Sequence, residues 1–260
     1  MIYCHSNSGS RVECLKNAKT LLKNGFGLCC FDFSGSGCSG GEYVTLGYNE
    51  SEDLKVIITF LKESGLSQEI FLWGRSMGAA TVLLYNLIYN DPNITGLILD
   101  SPYSNLRSLA LEIAQISIKL PKFMLNPIIN SIEKEMKKKV EGLSLDSMDL
   151  VSKLKKTGTM RTPAYFITSL NDTVVPAYHV EELKKLWGKE GILKYINAKH
   201  YENREDSTND ACLNFMKETL ERSQIKTKRT NSIYGNQLNT LKSFKEIPFT
   251  AASRIKLFKK

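Results

Sequence analysis

Ser76 sits in Gly74-Arg75-Ser76-Met77-Gly78, a G-x-S-x-G pentapeptide. The strand-like run EIFLW precedes it and the helical pattern MGAATVLLYNLIY follows it. A serine at a tight turn between strand and helix has its hydroxyl lifted clear of both, above the helix N-terminus. Gly74 and Gly78 belong to such a turn because it is strained and neighbouring chain packs close to it. A Ser hydroxyl is a weak nucleophile at neutral pH and needs an imidazole base, itself held by a carboxylate. The chain offers three histidines. His5 precedes Ser76, against the order serine, acid, histidine that accompanies this turn. His179 lies in a helical pattern directly after NDT, too near any upstream acid. His200, in NAKHYENR after the last strand-like run, is therefore the expected base. Asp172, in SLNDTVVP after the strand-like AYFIT, is the expected acid, with Asp100 at the end of LILD as its rival. Attack on a carbonyl also needs two backbone N–H donors for the oxyanion. Met77, directly after the nucleophile, is expected to supply one, and the loop HSNSGS the other.

A second glycine-rich stretch, GSGCSG from Gly35 to Gly40, matches G-x-G-x-x-G after a strand-like run. Dinucleotide binding requires that motif to open a helix, with an acid about twenty residues further on. Here GEYVTLG follows, which starts no helix, and the acid is missing. The stretch reads as a loop on the carboxyl edge of a sheet.

The elements that must position these residues alternate. Strand-like runs cover Ile2–His5, Phe26–Phe33, Glu69–Gly74, Ile94–Asp100, Thr162–Thr168 and Ile192–Asn197. Amphipathic helical patterns cover Ser10–Asn24, Asn49–Ser64, Met77–Tyr89, Pro176–Trp187 and Asp206–Arg222. Short apolar strands alternating with helices predict an α/β fold with a mostly parallel sheet flanked by helices. The segment 102–160 is longer than one crossover needs and reads as a helical insertion, with helices over Leu106–Ile118 and Leu125–Val140, placed where it could cover a site.

The 260 residues carry a net charge of +8, which suggests nucleic acid until it is located. Residues 224–260 hold nine Lys or Arg and one acid, whereas 1–223 hold 26 of each sign. The body is neutral, so the net charge gives no sign of nucleic acid, and no nucleic-acid partner is expected for the domain. Residues 1–223 read as the catalytic domain and 224–260 as a basic, mostly disordered tail. The phenylalanines and aliphatic residues among the tail's lysines allow peripheral membrane contact. Six cysteines without metal spacing, and no signal peptide, read as buried free thiols in a cytoplasmic protein. The most apolar long stretch, Leu109 to Ile132, is broken by Glu112, Lys119 and Lys122, which excludes a transmembrane span.

Six motifs, HSNSGSR, DFSGSGCSGG, LWGRSMGAA, LDSPYSNL, NDTVVP and KHYENR, stand in an order that resembles the α/β-hydrolase superfamily from about Ile2 to Arg222. More narrowly the chain resembles the serine-aminopeptidase-like branch that includes the α/β-hydrolase-domain protein depalmitoylases. The resemblance implies a serine hydrolase with the triad Ser76, Asp172 and His200, an acyl-enzyme intermediate, and no cofactor or metal. Its substrate would be an acyl ester or thioester, protein depalmitoylation being one form. A serine aminopeptidase is the close alternative, and a catalytically inactive scaffold a third. Two departures stand out. His5-Ser6 replaces the usual His-Gly, where the resemblance makes the Asn7 backbone N–H the second oxyanion donor, and the superfamily's first two strands are missing. That leaves GLCCFDF as an open edge and suggests a truncated chain.

Overall fold

The computed structural model describes residues 1–67 and 69–234. Six strands, β1 (Ile2–Cys4), β2 (Cys29–Cys30), β3 (Ile70–Arg75), β4 (Ile94–Asp100), β5 (Ala164–Ser169) and β6 (Gly191–Ile196), form one sheet. Its order is β2-β1-β3-β4-β5-β6, and every neighbouring pair is parallel. Eight helices accompany it among the described residues: α1 (Leu15–Lys23), α2 (Tyr48–Glu63), α3 (Met77–Tyr89), α4 (Leu106–Ile118), α5 (Lys122–Lys139), α6 (Leu150–Thr157), α7 (Ala177–Trp187) and α8 (Asp206–Tyr234). Residues Met1–Arg222 form one compact unit.

Strand residues alternate between two cores, as the period of two requires. Ile2, Cys4, Leu72, Leu97, Leu99 and Phe166 pack with Leu54 and Ile58 of α2, Val82 and Leu83 of α3, and Val180, Leu183 and Trp187 of α7. On the other face, Tyr3, Trp73, Ile98 and Ile167 pack with Leu21 of α1 and Cys212, Phe215 and Met216 of α8. Each fully buried aliphatic or aromatic side chain contributes about 1.5–3 kcal/mol. From β1 the chain runs through α1 to the edge strand β2, then back through α2 to β3 on the other side of β1. Right-handed crossovers in opposite directions place α1 and α2 on opposite faces. The carboxyl ends of β1 and β3 therefore flank a switch point, where a crevice opens in sheets of this kind.

Four expectations need correction. The run Phe26–Phe33 gives only a two-residue strand, because it pairs with β1 at Cys29 and Cys30 alone. Phe33 is instead buried, and its N–H is taken by His5. The edge is thus short, which limits its use as a template for other chains. The cysteines are not all free, since Cys14 and Cys30 form a disulfide. Strand alternation turns Cys29 and Cys30 to opposite faces, and Cys30 meets Cys14 on the α1 side. Cys4 and Cys212 are buried thiols, whereas Cys38 is exposed. The free-thiol argument for a reducing compartment therefore lapses. The insertion holds a third helix, α6, whose N-cap Asp149 accepts the Ser152 N–H and whose Leu150, Val151 and Leu154 are buried. Finally, α8 continues past Arg222 to Tyr234. The rest of the basic tail, with its expected disorder and membrane contact, lies outside the described residues. No described helix is long and apolar enough to cross a membrane.

Candidate active site

The sequence places Ser76 between β3 and α3, and its backbone has φ 52 and ψ −116. A non-glycine residue held at positive φ costs on the order of 1–3 kcal/mol and persists only where its surroundings over-determine it. Here the Ser76 N–H donates to the Asp100 carbonyl at 2.8 Å, and both flanking glycines are sterically required. A Cβ on Gly74 would overlap the backbone of Gly78 and Ala79, and one on Gly78 would overlap the carbonyl groups of Cys4 and His5. The turn is packed directly onto the end of β1.

Three loops on the carboxyl edge bring their side chains together. His200 Nε2 lies 2.9 Å from Ser76 Oγ, and His200 Nδ1 lies 2.7 Å from Asp172 Oδ2. His200 and Asp172 are both buried. Asp172 Oδ1 also accepts the N–H groups of Val174 and Val175 at 2.9 and 2.8 Å, which orients its carboxylate. Burial by itself would raise the Asp172 pKa. The His200 hydrogen bond and charge and the two N–H groups outweigh it and hold the carboxyl below its ordinary value. An ionised Asp172 accepts a hydrogen bond from the Nδ1–H of His200, which keeps the proton on Nδ1 and leaves the Nε2 lone pair for the Ser76 hydroxyl. The rival acid, Asp100, is engaged elsewhere: Arg204 grips both its oxygens at 2.9 Å.

Met77 begins α3, and its N–H has no acceptor among the described residues, as expected for the first turn of a helix. Asn7 lies exposed in the loop after β1, and its N–H is likewise unengaged. The neighbouring Ser6 N–H is not available, because it donates to Glu13 Oε2 at 2.9 Å. The usual glycine at this position is a serine here, and its Oγ also binds Glu13. Gly9 leaves the space that this carboxylate fills. His5 fastens the same loop from below, with Nδ1 donating to the Ser6 carbonyl at 2.8 Å and Nε2 accepting the Phe33 N–H at 3.1 Å.

Sequence reasoning missed the residues that join these loops. The buried Arg75, beside the nucleophile, donates through Nη2 to the carbonyls of His200 and Glu202, both at 2.7 Å. Its Nη1 stands 3.7 Å from Glu13, and its Nε stands 4.0 Å from Asp100. One guanidinium thus ties the serine turn, the histidine loop and the Glu13 that seats Ser6. The legible signal was a charge ending a strand that is otherwise apolar, IFLWGR. Asp32 performs a similar service for GSGCSG, accepting from Arg11 Nε at 2.7 Å and the Cys38 N–H at 2.9 Å. A cavity of about 240 Å³ opens beside His200, lined by Ser6, Glu13, Lys16, Arg75 and Tyr201 among others.

His179 is fully buried and remote in role from this relay. Its Nδ1 accepts the Ser104 N–H at 3.2 Å, and its Nε2 lies 3.0 Å from Glu112, so it ties α7 to α4 of the insertion. Burial lowers its pKa against the opposing pull of Glu112. Among the described residues, no three His, Cys, Asp or Glu side chains gather as a metal site.

Comparison with known proteins follows the same lines. A family model described as serine aminopeptidase, S33, matches residues 4–157. The uncharacterized protein YqkD of Bacillus subtilis is 25% identical over 202 residues, which is 77% of this chain and 64% of that protein. Lysophosphatidylserine lipase ABHD12 of Gallus gallus is 30% identical over 117 residues, 42% of this chain and 29% of that protein. The chain thus spans less than two thirds of the length of these curated relatives. The Pyrococcus furiosus esterase Pf2001 superposes with a TM-score of 0.64 at 23% identity, covering 84% of this chain and 81% of that one. Likeness at that identity speaks for the fold alone. The family match takes in more than half of the residues, and by it the chain belongs to the serine aminopeptidase S33 family of α/β hydrolases.

Proposed function

We propose that the chain is a serine hydrolase that cleaves an acyl ester or thioester through Ser76, His200 and Asp172. The observation that carries this reading is the line Ser76 Oγ–His200 Nε2–Asp172, at 2.9 and 2.7 Å, on a strained turn. His200 takes the hydroxyl proton as Ser76 Oγ attacks the carbonyl carbon. The negative oxygen that forms is received by the N–H groups of Met77 and Asn7; losing one such donor typically costs about 10²–10³ in rate. Collapse breaks the bond to the leaving alcohol or thiol, which takes its proton from His200, and leaves an acyl group on Ser76. Water then attacks that ester with His200 as base, releasing the carboxylic acid and the free serine.

Among the relatives, ABHD12 is described as a lysophosphatidylserine lipase and Pf2001 as an esterase, which favours oxygen esters. Protein S-acyl thioesters, the substrates of depalmitoylases, are open to the same chemistry. The family's description favours a second reading, an aminopeptidase. That activity needs an unspent carboxylate for the substrate amine. In the insertion, Glu112 is engaged by His179 and Tyr178, and Glu133 by Arg107 and Lys137, so neither of these two carboxylates is free for that amine. The test is labelling with a fluorophosphonate probe. Wild type should label and Ser76→Ala should not, and a folded wild type that stays unlabelled refutes hydrolysis by Ser76. Comparing p-nitrophenyl esters, acyl thioesters and aminoacyl anilides then separates the substrate classes.

A further inference from the structure

We infer that the tip of the α4–α5 hairpin docks onto an anionic lipid surface. Residues 115–119 are all exposed, so the second half of α4 stands clear of the body. At this tip Ile116, Ile118 and Met124 are exposed, and Phe123 is 73% exposed. Helix α5 carries two apolar stripes. Leu125 and Ile129 face the core, while Met124, Ile128 and Ile132, four residues apart, face outward. A surface helix normally carries polar residues on its outer face, so the second stripe calls for a partner of its own.

Charge selects the partner. From Ile113 to Ile132 the sequence holds Lys119 and Lys122 and no acid, within a body of balanced charge. Lys119 closes α4 in the left-handed conformation, at the turn beside the apolar side chains. Aliphatic and aromatic residues flanked by lysines suit the boundary between headgroups and acyl chains, with about 1 kcal/mol of attraction to anionic lipid per basic residue. The tip lacks the Trp, Tyr and Arg that anchor protein interfaces. The insertion also leaves the sheet at the carboxyl end of β4, the same edge that bears Ser76, Asp172 and His200. Docking is a property of the surface and stands whether or not Ser76 is a nucleophile.

The test uses the full chain and vesicles of phosphatidylcholine with or without phosphatidylserine. Trp73 and Trp187 are both buried, so Phe123→Trp adds the one exposed reporter among the described residues. On phosphatidylserine vesicles its emission should shift to the blue and be quenched by brominated lipid. The double variant Ile116→Ser/Phe123→Ser should bind roughly ten-fold or more weakly, while keeping its circular dichroism and its hydrolysis of a soluble short-chain ester. Removing phosphatidylserine should weaken wild-type binding by about five-fold per basic residue engaged. Binding without quenching at position 123 would assign attachment to another part of the chain and overturn the inference. Equal binding to neutral vesicles would overturn its electrostatic half. A wild type that self-associates in lipid-free solution, with a monomeric double variant, would make the occupant a second copy and overturn it as well.

Discussion

Replacing Arg75 with lysine keeps the charge beside the serine turn but removes the fork that spans two loops. The guanidinium donates to the His200 and Glu202 carbonyls from one nitrogen while the other two nitrogens face Glu13 and Asp100. A single ammonium cannot serve both directions. Losing one charge-assisted hydrogen bond in this buried setting costs about 1.5–3 kcal/mol, which lowers Tm by roughly 3–12 °C for a domain of this size. Asp100 retains both bonds from Arg204, and Glu13 retains those from Ser6, so the fold should survive. The catalytic effect should be larger than the stability loss explains. Freed from Arg75, the loop bearing His200 needs to drift only about 1 Å from Ser76 to lose on the order of 10² in rate. Hydrolysis of a p-nitrophenyl ester should then show kcat down by about that factor with KM little changed. Ile58→Val serves as the control. It removes one methyl group from the α2 core for about 0.5–1.5 kcal/mol and touches none of these loops, so it should lower Tm without changing kcat. If Arg75→Lys lowers Tm and leaves kcat at the wild-type value, Arg75 merely stabilises the fold and the positioning argument is wrong.

Asp172→Asn should keep the fold, since Val174 and Val175 can still donate to a side-chain oxygen, yet kcat should fall about 10³–10⁴-fold as the imidazole loses its acceptor for the Nδ1 proton. Activity within ten-fold of wild type would disqualify Asp172, and a matching loss in Asp100→Asn would revive its rival. Burial lowers the His179 pKa, so the folded chain prefers the neutral ring. The unfolded chain takes up this proton as pH falls through about 6.5. The contribution is complete above that value and is lost below it. Melting curves between about pH 7 and 5 should therefore fall more steeply for wild type than for His179→Gln, and parallel curves would count against a buried neutral imidazole. The Cys14–Cys30 bond spans 16 residues and should contribute about 3 kcal/mol. Reductant should lower the Tm of wild type and leave Cys14→Ser unmoved; equal responses would mean that the bond does not form in solution.

Some of the molecule is legible along the chain because it rests on local geometry. The strand–turn–helix around Ser76 follows from an apolar run, two glycines and a helical pattern, each a short-range property. The alternation of runs dictates a parallel sheet, since parallel strands need crossovers and the crossovers are visibly helical. Helix α6 was hidden because eight residues give little periodicity, although Asp149 and Ser152 marked its cap. Strand β2 read too long because apolar Phe26–Phe33 is satisfied by packing, and only two of its residues find a partner to bond.

The order of elements along the sequence determined which residues reach the carboxyl edge: Ser76, Met77, Asn7, Asp172 and His200 each follow a strand. Choosing among them required the tertiary structure, because the choice turns on partners distant in sequence. Asp100 and Asp172 both end strands. Arg204 occupies one and His200 faces the other, and nothing within ten residues of either acid reveals that. Glu13 looks like an ordinary surface charge, and Arg75 shows only as a charge ending an apolar strand, until the fold buries both between three loops. There, each charge must meet an opposite one or a carbonyl, and meeting them is what holds the loops in register.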